Sequence, residues 1–500
     1  MSQQVDVVRS TAPAGATRTS VRPRRAMLAG ICGLFAIWVL VMPPFAGSDE
    51  HDHAYRAAAA ARGQWSIDPV NATRGTGAFL TVPSDIVAAA RSECQGLSYT
   101  EDRDCVGKPE GEETVIASGA GRYHPLFYAV VGTVARPFDG AVALYAMRIA
   151  AALLAAAFVW AAARAAQTWA RTRWPYLGIA AACTPVAVYS CAVAAPNGVE
   201  MMSALALWVA LIGLLLAPPE HIRRLAACAA VSGAVLATLR PLGPLWCLLI
   251  LGAVLLAVRA PPGRLRELLR RPSVLAGGLL VLVSAVLSTA WVLAVDALKV
   301  GGEGTGHTTL GSRLEESATQ LPAWILQAIA AFPLRNDPTH TAVYACYLGL
   351  FVVVLTLGLR FGDARSRIAL ALVVACVLLF PYVTTVHSLD RYGAAWQGRY
   401  GLPVAMGIVV LAACALDRSR RRLRGPMRLA LFSLFVVAQT LSPAYTLLLE
   451  IDRSPQVDAG SWVQPSLLLT VVVAGVSAAL LWWGAFGQDL PTRAGLRAEA

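Results

Sequence analysis

Residues 27–56 read MLAGICGLFAIWVLVMPPFAGSDEHDHAYR, an apolar run that ends at two prolines and is followed at once by acidic residues and histidines. The apolar part is long enough to enter a bilayer as a helix. The polar part holds three carboxylates and two histidines within about a turn and a half of helix from the predicted membrane edge. Such groups at the rim of a membrane protein suit proton transfer or metal chemistry. This segment is therefore the first candidate for a functional site.

The composition of the whole chain is that of a polytopic membrane protein. Of the 500 residues 57% are hydrophobic and only 14% are charged, and the mean hydropathy is +0.58. The net charge of +12 comes almost wholly from arginine, since lysine occurs only at Lys108 and Lys299. The arginines fall in short clusters between apolar runs, which is the positive-inside pattern and not the basic face of a nucleic-acid-binding protein.

Repeated apolar runs predict an all-α transmembrane domain over residues 27–485, with about twelve spans. The predicted spans are 27–44, 140–163, 175–195, 199–217, 225–239, 244–258, 273–297, 341–360, 366–386, 400–416, 428–447 and 465–485. The basic clusters lie on alternate loops, so both termini are predicted to be cytoplasmic. Residues 1–26 are then a disordered cytoplasmic tail and 486–500 a second cytoplasmic tail. Two long extracytoplasmic loops are predicted, 45–139 and 298–340.

The first long loop is predicted to begin with a helix. Ser48 is a suitable N-cap, and the acidic residues that follow it favour the positive end of the helix dipole. On that helix Asp49, His53 and Arg56 have the spacing of residues that share one face. His51 and His53 point in nearly opposite directions, which makes the two histidines a poor metal chelate.

The rest of this loop has less pattern. Residues 64–121 show little periodicity beyond a short helix near 84–92. From Arg122 onwards comes an apolar stretch that is too short to span, and it predicts an interfacial helix in the outer leaflet. Pro125 would stand in its first turn, directly after His124.

Cys94 and Cys105 are the two cysteines outside the apolar runs, and both lie in the first long loop. The oxidising side of the membrane favours a disulfide between them. Two free thiols are the alternative. A zinc site lacks a second cysteine or histidine pair in register.

Several arginines lie on the predicted outer side, against the positive-inside trend. Arg240, Arg391 and Arg399 are either anchors for lipid headgroups or parts of a shared anion site, because guanidinium groups suit bidentate binding of phosphate. Gly398 and Gly401, which flank Arg399 and Tyr400, would let a ligand approach the backbone closely. Arg148 lies two turns inside the second span, where an unpaired charge is costly, so it requires a partner or a phosphate.

Taken together, these motifs resemble the GT-C superfamily of membrane glycosyltransferases. The closest resemblance is to a family of bacterial multispan membrane proteins known as domain of unknown function 2142. It covers about residues 27–416 and rests on Pro43-Pro44, Asp49-Glu50, His53, Arg56, His124-Pro125-Leu126-Phe127-Tyr128, Arg148 and Gln397-Gly398-Arg399-Tyr400.

The resemblance implies transfer of a sugar, usually with inversion, from a polyprenyl-phosphate donor to a glycan or glycolipid acceptor of the bacterial cell envelope. Asp49 matches the general base, and Glu50 a second carboxylate that orients the acceptor or holds a divalent cation; the resemblance leaves a cation open. The leaving phosphate needs cations. The candidate substrate-binding residues are His53, Arg56, Arg122, His124, Arg148, Arg240, Arg391, Gln397, Arg399 and Tyr400. The expected location is the bacterial plasma membrane, with the active site extracytoplasmic.

Two other functions remain open. A transporter or flippase of lipid-linked sugars would suit the intramembrane Arg148 and Asp296 and the proline-broken segment 239–244. Against it, no repeat relates the two halves of the sequence, and the ionisable residues gather at one face. An assembly subunit with degenerate catalytic residues is the other alternative, and the intact acidic cluster argues against it.

Overall fold

The computed structural model describes residues 21–65, 67–72, 75–90, 111–297, 309–332, 337–420, 423, 425–453 and 461–487. Cys94 and Cys105 lie outside these ranges, and so do residues 1–20 and 488–500 of the two predicted tails. The disulfide therefore stays a prediction.

The described residues form a mostly helical chain. The elements are α1 (Val21–Val41), α2 (Glu50–Ala61), β1 (Asp68–Ala72), β2 (Gly75–Pro83), α3 (Ser84–Ala89), β3 (Glu113–Ser118), α4 (Pro125–Ala135), α5 (Gly140–Ala166), α6 (Trp174–Ala182), α7 (Pro185–Ser190), α8 (Asn197–Leu216), α9 (Ile222–Leu239), α10 (Gly243–Ala257), α11 (Arg264–Leu268), α12 (Pro272–Ala294), α13 (Leu310–Thr319), α14 (Leu321–Ile329), α15 (Thr341–Phe361), α16 (Ala364–Tyr392), α17 (Leu402–Arg418), α18 (Gly425–Arg453) and α19 (Leu467–Gly487). Short 3-10 turns stand at Pro219–His221 and Gly398–Gly401.

The polytopic helical fold predicted from hydropathy is confirmed. Within the described ranges, 9 helices are long and apolar enough to cross a membrane: α5, α8, α9, α12, α15, α16, α17, α18 and α19, some with a preceding turn. The predicted first and sixth spans correspond to α1 and α10, whose apolar parts Arg25–Val41 and Gly243–Ala257 are shorter. The count of twelve spans stays a prediction.

The predicted third span, 175–195, is wrong as a single helix. It is broken into α6 and α7 between Ala182 and Pro185, where Thr184 caps α7 by accepting a hydrogen bond from the N–H of Ala187. Pro185 has no N–H to continue α6, and it suits the first turn of a new helix.

The break leaves backbone carbonyls that need partners inside the membrane. Side chains from two other helices supply them. The Tyr347 hydroxyl donates to the carbonyl of Ala181 at 2.7 Å, and the Gln439 amide donates to that of Cys183 at 2.7 Å. The break is therefore satisfied by the bundle around it.

A small antiparallel sheet in the first long loop was not predicted. Its strands lie in the order β1-β2-β3, with Val70 opposite Gly77 and Leu80 opposite Ile116. On β2, Leu80 and Val82 alternate with Thr81 and are fully buried. This alternation of apolar and polar residues is the strand period, but it is too short to stand out in a glycine-rich sequence.

Helix α2 lies between this sheet and α4. We call the end of the helix bundle at which the sheet, α2 and α4 lie the loop end. The alanine run of α2, Ala57–Ala60, is buried. Gly132 of α4 lies so close to it that an added Cβ would stand 2.0 Å from the carbonyl oxygen of Ala57. Small residues on both helices therefore set α2 close to α4, and with it the residues at the start of α2.

Candidate active site

The turn between α1 and α2 ends at Asp49. Asp49 has a left-handed backbone, with φ of 54°, and stands directly before the first residue of α2. It is thus the N-cap, and the prediction of Ser48 in that position is wrong. Its side chain is 24% exposed, whereas Ser48 and Glu50 on either side are buried. The carboxylate of Asp49 is accordingly open to the surroundings of the protein at the loop end.

Glu50, in contrast, is buried and forms a hydrogen-bonded ion pair with Arg148 of α5. The Nε and NH2 groups of Arg148 donate to the two carboxylate oxygens at 2.8 and 2.5 Å. The same oxygens accept from the backbone N–H of Gly47 at 3.2 Å and of Ala194 at 2.9 Å. Both side chains are fully buried. The partner that the sequence required for Arg148 is therefore Glu50.

Arg148 also fixes the end of α1. Its NH1 and NH2 groups donate to the carbonyls of Val39, Met42 and Pro43 at 3.1, 2.7 and 2.7 Å. These bonds satisfy one carbonyl in the last turn of α1 and the carbonyls of the two residues that follow the helix. The geometry suits a supporting role beneath Asp49 better than the direct substrate roles predicted for Glu50 and Arg148.

Arg399 reaches Asp49 from the far part of the chain. Its NH2 group lies 3.8 Å from Oδ2 of Asp49, and its NH1 group donates to the Ser48 hydroxyl at 2.9 Å. The Arg399 side chain is only 2% exposed. The N–H of Ser48 in turn donates to the Tyr189 hydroxyl at 3.2 Å. The two candidate groups that the sequence placed 350 positions apart are therefore brought together.

The turn that carries Arg399 is fastened to α14. The N–H of Gly398 donates to the Gln327 side chain at 2.8 Å, and the Trp324 indole donates to the carbonyl of Trp396 at 3.1 Å. An added Cβ at Gly398 would stand 2.0 Å from the carbonyl oxygen of Trp324. The glycine thus serves close packing on α14, and the prediction that Gly398 and Gly401 let a ligand approach the backbone stays a prediction.

Arg240, directly after α9, lies between two tyrosines. Its guanidinium carbon is 4.4 Å from the ring centre of Tyr400 and 5.7 Å from that of Tyr123. Its NH2 group donates to the Tyr123 hydroxyl at 3.3 Å, and its NH1 group donates to the Asn197 side chain at 3.2 Å. Tyr400 also lies 5.7 Å from the guanidinium carbon of Arg399. The guanidinium groups of both arginines therefore lie near the ring of Tyr400.

His53 lies one turn along α2 from Asp49. A hydrogen bond of 2.8 Å joins its Nδ1 to the Tyr128 hydroxyl. Burial lowers the pKa of His53 to about 3; the charge of Asp49 opposes this shift, whereas Arg240 and Arg399 add to it. The imidazole is therefore neutral at neutral pH and is a very weak base.

Two other predicted binding residues are engaged mainly with the backbone. Arg56 donates to the carbonyls of Gln64 and Tyr123 at 3.1 and 3.3 Å. Arg122 donates to the carbonyls of Gly77 and Asp296, each at 3.0 Å. These contacts tie α2 and the sheet to the rest of the loop end, and the predicted role in substrate binding stays a prediction.

The remaining predicted residues have no defined role. His124 is the N-cap of α4 and its ring stands 5.7 Å from that of Trp291; burial, and next the charge of Arg56, lowers its pKa. Gln397 directly precedes the turn of Arg399. Arg391 belongs to the last turn of α16, and its side chain lies outside what the structure describes.

Among the described residues, no three His, Cys, Asp or Glu side chains are grouped so that they could hold a metal ion. Glu50 is already bound by Arg148 and two backbone N–H groups. Asp52, another carboxylate of the cluster, accepts from the N–H of Gly119 at 2.8 Å, and burial raises its pKa. Whether a divalent cation binds here thus depends on Asp49.

An apolar cavity of about 240 Å³ reaches the turn that carries Arg399. Residues of α6, α14, α15, α16 and α17 line it, and Gly398 and Gly401 line it where the turn stands. The polar residues in its wall are few, among them Thr184 at the break between α6 and α7. An apolar space thus adjoins the turn to which Arg399 belongs, at Gly398 and Gly401.

Sequence reasoning missed four residues that hold the candidate groups. Ser48 and Tyr189 contact the turn of Asp49 and Arg399, and Asn197 contacts Arg240. Glu200 lies 4.0 Å from NH1 of Arg240. A carboxylate in the first turn of a span is a signal that could have identified Glu200; the sequence carries no comparable signal for the other three.

Comparison with known proteins gives one family and two structures. A family described as "Predicted membrane protein (DUF2142)" matches residues 32–408. The crystal structure of ArnT from Cupriavidus metallidurans bound to undecaprenyl phosphate is similar over 91% of this chain and 76% of that one, at 15% identity and a TM-score of 0.44. Its apo state is similar over 90% and 75%, at 16% identity and a TM-score of 0.41. Among curated proteins, none matches the chain.

Proposed function

The chain belongs to the DUF2142 family of predicted membrane proteins, and for this member we propose the activity of a GT-C-type glycosyltransferase. It moves a sugar from a polyprenyl-phosphate donor to a glycan or glycolipid acceptor of the cell envelope, with inversion. The observation that carries the proposal is the meeting of three features at the loop end: an open carboxylate at Asp49, a buried guanidinium at Arg399, and an apolar cavity beside it.

Asp49 is the general base of this proposal. It takes the proton of an acceptor hydroxyl as that oxygen attacks C1 of the sugar, and positioned bases contribute about 10²–10⁴-fold to such steps. Its neighbours suit the task less well. Glu50 is closed on Arg148, His53 is a weak base with a pKa of about 3, and Asp52 is bound by the sheet.

The bond from C1 to the phosphate oxygen breaks in the same step, and the electron pair leaves with the polyprenyl phosphate. The leaving group needs positive charge and not a proton, so preorganised cations are the effective catalysts. Arg399 and Arg240, which both lie near the ring of Tyr400, supply them. In the described part of the protein Nε of Arg399 has no hydrogen-bond partner, so it can donate to a phosphate oxygen.

The apolar cavity takes the first part of the polyprenyl chain. A lipid donor enters sideways from the bilayer, and its phosphate must then meet cations close to an apolar wall. The turn of Arg399 forms that boundary, because Gly398 and Gly401 line the cavity while Arg399 between them faces Asp49. We place the loop end on the extracytoplasmic side of a bacterial plasma membrane, with both termini in the cytoplasm, following the arginine clusters.

The direct test is transfer by the purified protein from a panel of polyprenyl-phosphate sugars to envelope glycan and glycolipid acceptors. We expect one donor to give a glycosylated product with inverted configuration at C1, read by NMR, and free polyprenyl phosphate in equal amount. Absence of transfer from every donor, while the protein stays folded, contradicts the proposal.

A transporter of lipid-linked sugars is the second candidate. The broken helix α6–α7 favours it, because discontinuous helices form substrate sites in many transporters. In proteoliposomes a transporter moves a labelled lipid-linked sugar across the bilayer and leaves the sugar–phosphate bond intact. Movement of the lipid without cleavage would support this candidate instead of the transferase.

A further inference from the structure

Two residues of the first turn of α8 contact Arg240. Asn197 and Glu200 are three positions apart and therefore lie on one face of the helix. The Asn197 side chain accepts a hydrogen bond of 3.2 Å from NH1 of Arg240, and Oε2 of Glu200 lies 4.0 Å from the same atom. Glu200 is 2% exposed. The burial of Glu200 opposes its charged form, whereas a helix N-terminus and the nearby guanidinium group favour it.

Three arginine–carboxylate pairs at the loop end differ in how closely they are joined. Arg148 and Glu50 are in direct contact, with a shortest distance of 2.5 Å. Arg399 lies 3.8 Å from Asp49, and Arg240 lies 4.0 Å from Glu200. The first pair is closed by hydrogen bonds. The other two are open, so their guanidinium groups are attracted by the carboxylates and still have N–H groups to offer another anion.

Charge changes during the proposed reaction. The donor is a phosphate diester with one negative charge, whereas the leaving polyprenyl phosphate is a monoester with about −1.5 to −2 charges at neutral pH. Asp49 becomes neutral when it takes the acceptor proton. The two arginines therefore hold the product more strongly than they hold the donor, and the strength of that hold limits release.

We propose that Glu200 is a positioning residue that weakens the hold of Arg240 on the leaving polyprenyl phosphate and so permits its release. This inference rests on the proposed function. The ionised form of Glu200 is the one that acts, and the reaction does not change its charge, since the acceptor proton goes to Asp49. Its charge, fixed behind Arg240, repels the dianionic product more than the monoanionic donor. Asn197 contacts the same guanidinium group but carries no charge. Of these two residues only Glu200 can therefore repel the product.

The test is the variant Glu200→Gln, which keeps the size of the side chain and removes its charge. We expect polyprenyl phosphate to inhibit it at about tenfold lower concentration than the wild type, and kcat to fall with a burst of product in the first turnover. A merely structural loss would weaken binding and not strengthen it. Glu267→Gln is the matched control and should leave the inhibition unchanged. Glu267 of α11 pairs with Arg264 of the same helix and with Arg271, which directly precedes α12.

A double-mutant cycle with Arg240→Gln completes the test. The effect of Glu200→Gln should vanish when Arg240 is absent, and the double variant carries no unpaired charge. Should Glu200→Gln fail to fold, Glu200→Asp is measured instead. Its shorter side chain keeps the carboxylate but moves it away from Arg240, so polyprenyl phosphate should inhibit at about two- to threefold lower concentration. An unchanged inhibition constant in these variants overturns the inference. If the wild type binds no polyprenyl phosphate at all, the proposed function fails first.

Discussion

Asp49 and Arg399, from opposite ends of the predicted transmembrane domain, face each other across 3.8 Å at the loop end. The turn before α2 supplies the first, and the 3-10 turn before α17 supplies the second. Ser48 joins them, because it accepts a hydrogen bond from Arg399 and directly precedes Asp49. A base and a cation on separate elements can act on two different parts of one substrate.

Asp49→Asn should insert and fold normally and lose most activity, by about 10²-fold or more in kcat, because an amide cannot take the acceptor proton. The measurement is sugar transfer by purified protein at saturating donor. The control is Asp363→Asn, at a position where the side chain caps α16 and asparagine caps equally well. Near-wild-type turnover by Asp49→Asn would remove Asp49 as the base.

Arg399→Lys should raise KM for the donor by about tenfold and lower kcat, since an ammonium group cannot reproduce the bidentate fork or the bond to Ser48. Steady-state kinetics over donor concentration give both values. Arg453→Lys, in a more exposed pair with Asp337, is the control and should behave as the wild type. A donor KM that does not change in Arg399→Lys would leave Arg399 without contact to the phosphate.

Glu50→Gln should cost about 3–5 kcal/mol of stability, because it leaves Arg148 charged and unpaired in a buried site. The measurement is unfolding of the detergent-solubilised protein by denaturant. Replacing Glu50 and Arg148 together by methionine should recover much of this loss, since no buried charge then remains. Equal losses in the single and double variants would show that the ion pair is not what holds the turn.

His53 should make the free energy of unfolding decrease as the pH is lowered. Its pKa is about 3 in the folded protein and about 6.5 in the unfolded chain. Above about pH 6.5 both states are neutral and His53 contributes nothing to the dependence. Below it the unfolded state binds a proton that the folded state refuses, so stability falls by at most about 1.4 kcal/mol per pH unit.

The check on His53 is the variant His53→Gln. The free energy of unfolding of this variant is measured between about pH 4 and about pH 8. Its slope against pH should be smaller by the contribution of His53, while the contributions of the carboxylates and the other histidines stay. Parallel curves for wild type and variant would mean that His53 is protonated in the folded protein as readily as in the unfolded chain.

The spans were predictable because a bilayer requires long apolar helices, and composition alone reports them. The need of Arg148 for a partner was predictable for the same reason, because charge in a span is costly. The sheet was not, since its short strands carry few alternating residues. The break at Pro185 was not predicted either: the sequence there stays apolar, and the side chains of Tyr347 and Gln439 that make the break tolerable lie far along the chain.

The residues of the candidate site divide in the same way. Asp49 and Arg399 belong to local motifs, so they could be predicted, although their distance could not. Asn197 and Glu200 act on Arg240 only through the packing of α8 beside the end of α9. No local pattern records such a contact between two helices.

The pair of Arg148 and Glu50 also bears on how the chain enters the membrane. Arg148 stands within the second long helix to be synthesised, so the insertion machinery must transfer a guanidinium group into lipid. Glu50 and the carbonyls at the end of α1 are already made when this helix emerges, and they can neutralise it as it passes. We therefore expect α1 and α5 to enter the bilayer as a hairpin, and the shortest ribosome-bound chains that integrate stably to be those in which Ala166 has already left the ribosome.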